Sequence, residues 1–374
     1  MHHAFGWALG WVIAVAAATG ALACGVCTDL PERTASERLI SDDVLVLARP
    51  DPASPFRYAI IEVLRGDPAG LAPPPFLIPS TERRRMARDT TYAAVLSYGP
   101  QPGPKAEAAP PRANRYGGVA GPVNQTKGWS RVLSGSGARL DAVRDIVTRA
   151  RGWGVPRPTS GLAPRFAHFA ALEGSADPAL RLIALHELSL WPYAQLRRMT
   201  PATPAAKLRA ETMDRNRIAE APLLIQLLGL SRSPEAAALV RRGAENAFRV
   251  GGSERRAAWG IALVEQTGRT GLDTFIARVA LAPARDSAAR REALLALAAI
   301  AEARPALRAP ALQAVADVAA AEPDLLAQAT GILAQWQDWQ LIARAQAQLS
   351  APGLAPDTAY RLRYYVAQSR ARAD

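Results

Sequence analysis

Four segments of this chain align on a single helical pattern, and that pattern restricts the C-terminal half to stacked helices. "DPALRLIALHEL" starts at Asp177, "GSERRAAWGIAL" at Gly252, "DSAARREALLAL" at Asp286 and "EPDLLAQATGIL" at Glu322. The second place holds Pro178, Ser253, Ser287 and Pro323, and the fifth Arg181, Arg256, Arg290 and Leu326. The eighth holds Ala184, Trp259, Ala293 and Ala329, and the twelfth Leu188, Leu263, Leu297 and Leu333. An acidic or serine residue caps a helix start, and proline is tolerated in the first turn. Apolar residues four apart then share one face. The starts lie one or two lengths of about 35 to 38 residues apart, which suits stacked helical pairs. The degenerate stretch "DRNRIAEAPLLIQLLGL" is expected to be spoiled by Pro222. The competing arrangement is a non-repetitive bundle in an alanine-rich chain.

The Asp-Pro or Asp-Ser openings, followed by arginine and alanine, resemble HEAT-like repeats over about residues 163 to 350. That resemblance implies an α-solenoid whose concave face binds other macromolecules, since stacked repeats supply extended surface.

The charge-free run "AFGWALGWVIAVAAATGALA" ends in small residues, the layout of a secretory signal peptide cleaved after Ala23. It is also about as long as a membrane span, roughly 20 residues. An uncleaved anchor or a lipidated Cys24 are the alternatives. Export places Cys24 and Cys27, the only cysteines, in an oxidising compartment. They pair with each other or not at all. A structural disulfide is the favoured reading over metal binding or thiol redox chemistry, because zinc needs about four ligands and no strand precedes Cys-Gly-Val-Cys as in a thioredoxin-type site.

Downstream, "LPERTASERLIS" is expected to be a short helix with Pro31 inside its start and Leu39 and Ile40 buried. "DVLVLAR" places Val44, Val46 and Ala48 on one strand face. "FRYAIIEVLRG" alternates Phe56, Tyr58, Ile60 and Glu62 against Arg57, Ala59, Ile61 and Val63, and should pair antiparallel with it across "PDPASP". "PPFLIPS" reads as an edge strand, "TTYAAVLSYG" and "GWSRVLSG" as further strands, and the Pro/Gly-rich stretch at about 99–127 as a long loop. Short strands and turns favour a small barrel or sandwich. "ARLDAVRDIVTRARGW" is an amphipathic helix with Leu140, Val143, Ile146 and Val147 on one face. A cysteine at the cleavage site, a second one at once, a short helix and a strand pair closing on Arg-Gly-Asp resemble netrin-like, or tissue-inhibitor-of-metalloproteinase-like, OB-fold domains over residues 24 to 135. That resemblance implies a protease-inhibiting N-terminus in which the free amine of Cys24 chelates zinc.

The formal net charge is +12, carried almost wholly by arginine, with lysine only at 105, 127 and 207. It suits an acidic partner or anionic lipid, with solvated arginine faces as the simplest reading. Export argues against nucleic acid. His168 and His186 are the only histidines after residue 23, both expected to be packing residues, and no nucleophile elbow, phosphate-cradling loop or HExxH helix is present. The interaction candidates are Arg83, Arg84 and Arg85, in a loop with Arg88, and Trp336 and Trp339, three apart on one helix face. Tyr360, Tyr364 and Tyr365 in the last helix are read the same way.

The expected architecture is α+β and multidomain, a small N-terminal β-barrel or OB-like domain followed by an all-α HEAT-like solenoid. The signal peptide takes 1–23, the β domain 24–135, a helical linker 136–160 and the repeat domain 161–374. The expected function is a periplasmic or secreted protein-binding scaffold, without catalysis or cofactor. The alternatives are a metal or redox module on Cys24 and Cys27, or a metalloprotease-inhibitor-like N-terminus. Membrane contact is expected only with an uncleaved segment or a lipidated Cys24.

Overall fold

The computed structural model describes residues 33–101, 126–153, 163–249, 255–283 and 285–371. The apolar run of 4–23, Cys24, Cys27 and Pro31 lie outside these, as does most of the Pro/Gly-rich stretch. Among the described residues no helix is long and apolar enough to cross a membrane. The protein is mixed in class, with a small antiparallel sheet towards the N-terminus and a mostly helical remainder. It divides into two compact units, Asp29–Leu190 and Trp191–Asp374.

In the first unit, α1 (Ala35–Ser41) starts on a capping box. The Thr34 hydroxyl accepts the Glu37 N–H at 3.1 Å, and the Glu37 carboxylate accepts the Thr34 N–H at 2.8 Å. Leu39 and Ile40 are buried as expected. At the other end the Arg65 guanidinium donates to the Ile40 carbonyl at 2.9 Å and the Asp42 carbonyl at 2.6 Å.

Strands β1 (Val44–Asp51), β2 (Ser54–Arg65), β3 (Ala93–Pro100) and β4 (Lys127–Gly135) form an antiparallel sheet in the order β2-β1-β3-β4. Val44, Val46 and Ala48 share one buried face with Tyr58, Ala94, Leu96 and Trp129. Ile78 and Met86 cover that face, Met86 from α2 (Ser80–Arg88). Helix α3 (Ala138–Ala150) buries Leu140, Val143, Ile146 and Val147. It packs on α1 and the sheet. The β3–β4 connection is closed at its base, where the Gln101 N–H donates to the Thr126 carbonyl at 2.9 Å and the Gln101 side-chain amide to Gly128 at 2.6 Å.

Three expectations are corrected here. The barrel does not close: among the described residues the sheet is open, with β2 and β4 at its edges. The stretch 73–79 is not a strand and contributes one ladder-like bond, from the Ile78 N–H to the Phe56 carbonyl at 2.9 Å. The simple alternation of β2 fails at a bulge. Ala48 pairs with Ile60 and Leu47 with Glu62, so Ile61 has no partner. The inserted residue turns Glu62 to the opposite face from Ile60, where it meets Arg144 of α3 at 2.7 Å.

Helices α4 (Ala163–Leu172) and α5 (Pro178–Leu188) complete this unit. Asp177 caps α5 and holds Arg139 of α3 at 2.7 Å. Arg165 and Glu187 pair at 2.7 Å with both side chains fully buried, and Arg181 turns in to the Glu173 carbonyl at 2.8 Å.

The second unit runs through α6 (Tyr193–Leu196), α7 (Ala205–Thr212), α8 (Ala221–Leu230), α9 (Pro234–Ala247), α10 (Arg256–Thr267), α11 (Arg269–Phe275), α12 (Ser287–Ala303), α13 (Arg308–Ala321), α14 (Leu326–Gln335), α15 (Ile342–Leu349) and α16 (Pro356–Arg370). Helices pack both on chain neighbours and on helices two apart, α8 on α10, α10 on α12 and α14 on α16. Pro222 does not spoil a helix. It sits in the first turn of α8, where its missing N–H has no helical acceptor anyway, and every residue of α8 is buried. The eighth and twelfth places of the aligned segments are buried throughout: Ala184, Trp259, Ala293 and Ala329, then Leu188, Leu263, Leu297 and Leu333.

Small residues set the helix spacing. A Cβ added at Gly229 of α8 would lie 2.7 Å from Ala262 Cα of α10, whereas one added at Gly331 of α14 meets nothing within 4 Å. Gly229→Ala is therefore expected to lower unfolding free energy by about 1–3 kcal/mol through overpacking. Gly331→Ala is expected to raise it by about 0.5–1 kcal/mol through helix propensity. Urea titration of both variants checks the opposite signs.

Candidate functional site

The two cysteines weighed as metal ligands, Cys24 and Cys27, lie outside the described residues. Among the described residues no group of three or more His, Cys, Asp or Glu side chains is placed to hold a metal ion. His168 packs its ring 5.3 Å from Trp153 and 5.3 Å from Phe169. Burial holds its imidazole below the ordinary value, against the pull of the Asp145 carboxylate 3.8 Å away. His186 is buried within α5.

The Arg83, Arg84, Arg85 cluster is helical and not a loop, a correction with a simple cause. Glu82 and Met86 lie four apart and both face inward, so residues 80–88 wind into α2 after Pro79. The Glu82 carboxylate is buried, accepting from Tyr58 at 3.2 Å and Arg131 at 2.7 Å. Burial and the Glu82 charge push the Tyr58 phenol up to about 12. The guanidinium of Arg83 lies 4.1 Å over the Phe56 ring, a cation–π contact. Arg84, Arg85 and Arg88 are exposed. The cluster therefore combines a buried carboxylate anchor with an outward cationic face.

Trp336 and Trp339 do not share a helix face. Helix α14 ends at Gln335, and Gln337 takes a left-handed φ of 59° that turns the chain. Both tryptophans are half-buried. Trp339 packs 5.1 Å from Tyr365, whose hydroxyl donates to the Asp338 carbonyl at 2.8 Å and accepts the Leu341 N–H at 3.3 Å. Tyr365 is thus a lock on the turn. Tyr360 and Tyr364 face solvent, 68% and 44% exposed, with rings stacked at 6.4 Å. On the same helix a groove of about 470 Å³ runs along α15 and α16, lined by Leu349, Val366 and Ala367 together with Gln346, Ser350, Arg363 and Arg370.

A further polar cluster has no local sequence signature. The Glu265 carboxylate of α10 accepts from the Tyr193 hydroxyl at 2.9 Å and Arg197 at 2.7 Å, with Arg304 at 3.1 Å. Arg197 also donates to the Ala303 carbonyl at 2.6 Å. These groups come from three separate stretches of the chain, Tyr193 with Arg197, Glu265, and Ala303 with Arg304, so only the fold assembles them. Burial raises the Tyr193 phenol well above its ordinary value, and the adjacent Glu265 charge adds to this. At Glu265 burial pushes upward, but the Arg197 and Tyr193 hydrogen bonds and the two guanidinium charges outweigh it and lower the carboxyl pKa. A charged carboxylate, a neutral phenol and two guanidiniums at neutral pH make a clasp between helix ends, with no proton poised to move.

Comparison with protein-family models, with curated proteins and with solved structures finds no match for the chain.

The clasp has a pH consequence. The folded pKa of Glu265 lies below its unfolded value of about 4.3. Its contribution is complete above the unfolded value and is lost as pH falls through the folded one. Glu265→Gln is expected to reduce stability by about 1–3 kcal/mol at neutral pH. The gap to the unsubstituted protein should narrow on acidification. Thermal unfolding across pH 3 to 7 measures it, and a gap constant with pH would contradict the assignment.

Proposed function

We propose that this protein is an exported, non-enzymatic scaffold that holds an acidic protein partner on its helical unit, periplasmic or secreted after removal of residues 1–23. The observation that carries the reading is the exposed Tyr360–Tyr364 pair on the last helix, which also lines a mixed polar and apolar groove with Arg363 and Arg370. Exposed aromatic side chains with neighbouring guanidiniums have the composition of binding hot spots. Tyrosine adds contact area with little rotamer entropy to lose. The net charge of +12 favours an acidic surface and speeds its encounter. We further read the helical unit as a HEAT-like solenoid. Support comes from the buried eighth and twelfth places of its three segments, Trp259, Ala293 and Ala329 with Leu263, Leu297 and Leu333, and from the Asp286 cap, whose carboxylate accepts the Ala289 N–H at 2.7 Å.

The test is affinity capture from the native extracellular or periplasmic fraction with the full chain. The double variant Tyr360→Ala, Tyr364→Ala should retain its circular dichroism spectrum and lose at least about tenfold in partner affinity. Unchanged recovery would overturn the reading. So would a loss that instead follows Cys24→Ser, Cys27→Ser, which would move the function to the N-terminus. Intact mass of the exported protein checks cleavage before Cys24.

A further inference from the structure

Five large apolar side chains gather on the free edge of the sheet. On β2, Phe56, Ile60, Ile61 and Val63 are 51%, 38%, 55% and 46% exposed, and Leu77, on the stretch that bonds to Phe56, is 65% exposed. Soluble proteins shield an edge strand with charges, prolines or a covering segment, because its unpaired amides template further pairing. Here Phe56, Ile60 and Val63 share the face of the core residues Val46, Ala48 and Tyr58, so the patch continues the apolar face of the sheet to its rim. The backbone at this rim is open as well. The Phe56 carbonyl points outward to Ile78, and by the two-residue period of a strand the Tyr58 and Ile60 amides face the same side. Pro50, which lacks an N–H, sits opposite Tyr58, as this phase requires. Among the described residues no backbone group pairs with those two amides from outside.

Charge decides between occupants. Arg57 is exposed on the opposite face of the same strand, and Arg83 lies over Phe56 at the rim. Arg84, Arg85 and Arg88 extend the cationic surface along α2. The one carboxylate on the strand, Glu62, is held by Arg144. A second copy of this chain would bring the same surplus of positive charge, whereas an acidic segment is attracted. Added to β2, a strand places alternate side chains on the two faces of the sheet. One set would meet Phe56 and Ile60, and the other Arg57. We propose that the β2 edge is a second binding surface, which takes an extended acidic segment of a partner protein as a fifth strand, with apolar and acidic residues alternating. This surface is independent of the Tyr360–Tyr364 groove, and either can fail without the other.

The experiment uses the full chain and two blocked, fluorescently labelled peptides, one alternating valine with glutamate and one alternating valine with lysine. The glutamate peptide should bind at least about tenfold more tightly than the lysine peptide, and should slow amide hydrogen exchange at Tyr58 and Ile60. The variant Arg57→Glu, Arg83→Glu should erase or reverse that preference. Arg57 is exposed and Arg83 is half-buried over Phe56, so the loss counts only with a native circular dichroism spectrum. A second variant, Val63→Lys, should weaken binding of the glutamate peptide while leaving the Tyr360–Tyr364 capture intact. Four results would each overturn the proposal: equal affinity for both peptides, binding that leaves β2 exchange unchanged, amides at Tyr58 and Ile60 already protected in the free protein, or a concentration-dependent dimer that Val63→Lys dissolves.

Discussion

The guanidinium-to-carbonyl hydrogen bond recurs at several helix ends of this fold. A helix ends with carbonyls that lack partners and with a partial negative charge. Arg65 meets the end of α1, and Arg49 reaches the Met86 carbonyl in the last turn of α2 at 2.6 Å. Arg285 gathers the Phe248 and Arg249 carbonyls after α9 with that of Arg278. Arg197 and Arg308 take the Ala303 and Ala301 carbonyls of α12. A planar fork with several donors can bridge two or three carbonyls at once, which a lysine ammonium on a flexible stem does poorly. The arginine surplus therefore has a structural use, and the simplest reading of its charge, as solvated helix faces, holds only for part of it.

Between those junctions the helices approach on small side chains. Gly229 of α8 lies against Ala262 of α10, and a Cβ at Gly243 of α9 would fall 2.3 Å from the Trp259 ring. An alanine-rich sequence buries modest area per residue, so its stability relies on close contact along each seam and on polar groups being satisfied at the ends. The Glu265 clasp serves the second need where α6, α10 and α12 terminate.

Features with a local period were legible in the sequence. The strand faces of Val44, Val46 and Ala48, the stripe of α3 and the buried places of the aligned segments follow from spacing alone, because burial imposes it directly. The capping box of α1 was also there to read, as Thr34 and Glu37 three apart. What escaped depends on events that break a period. One inserted residue at Ile61 inverts the strand beyond it. The turn at Gln337 parts two tryptophans that a continuous helix would have aligned. Helix α2 was hidden because its arginines outnumber the two residues, Glu82 and Met86, that fix its inward face. Tyr193 and Arg197 are a turn apart, but nothing local links them to Glu265 or Arg304, and the tertiary fold alone unites the cluster.

The hydrogen bond between Gln101 and Thr126 pinches β3 and β4 together at the mouth of their connection. Holding two such ends together carries a closure cost that, for a flexible loop, rises only with the logarithm of loop length, about 0.6 kcal/mol for each doubling. The sheet is therefore largely indifferent to how many residues are threaded there. Sequence gained, lost or exchanged between these two ends is therefore expected to leave the packing of the core unchanged.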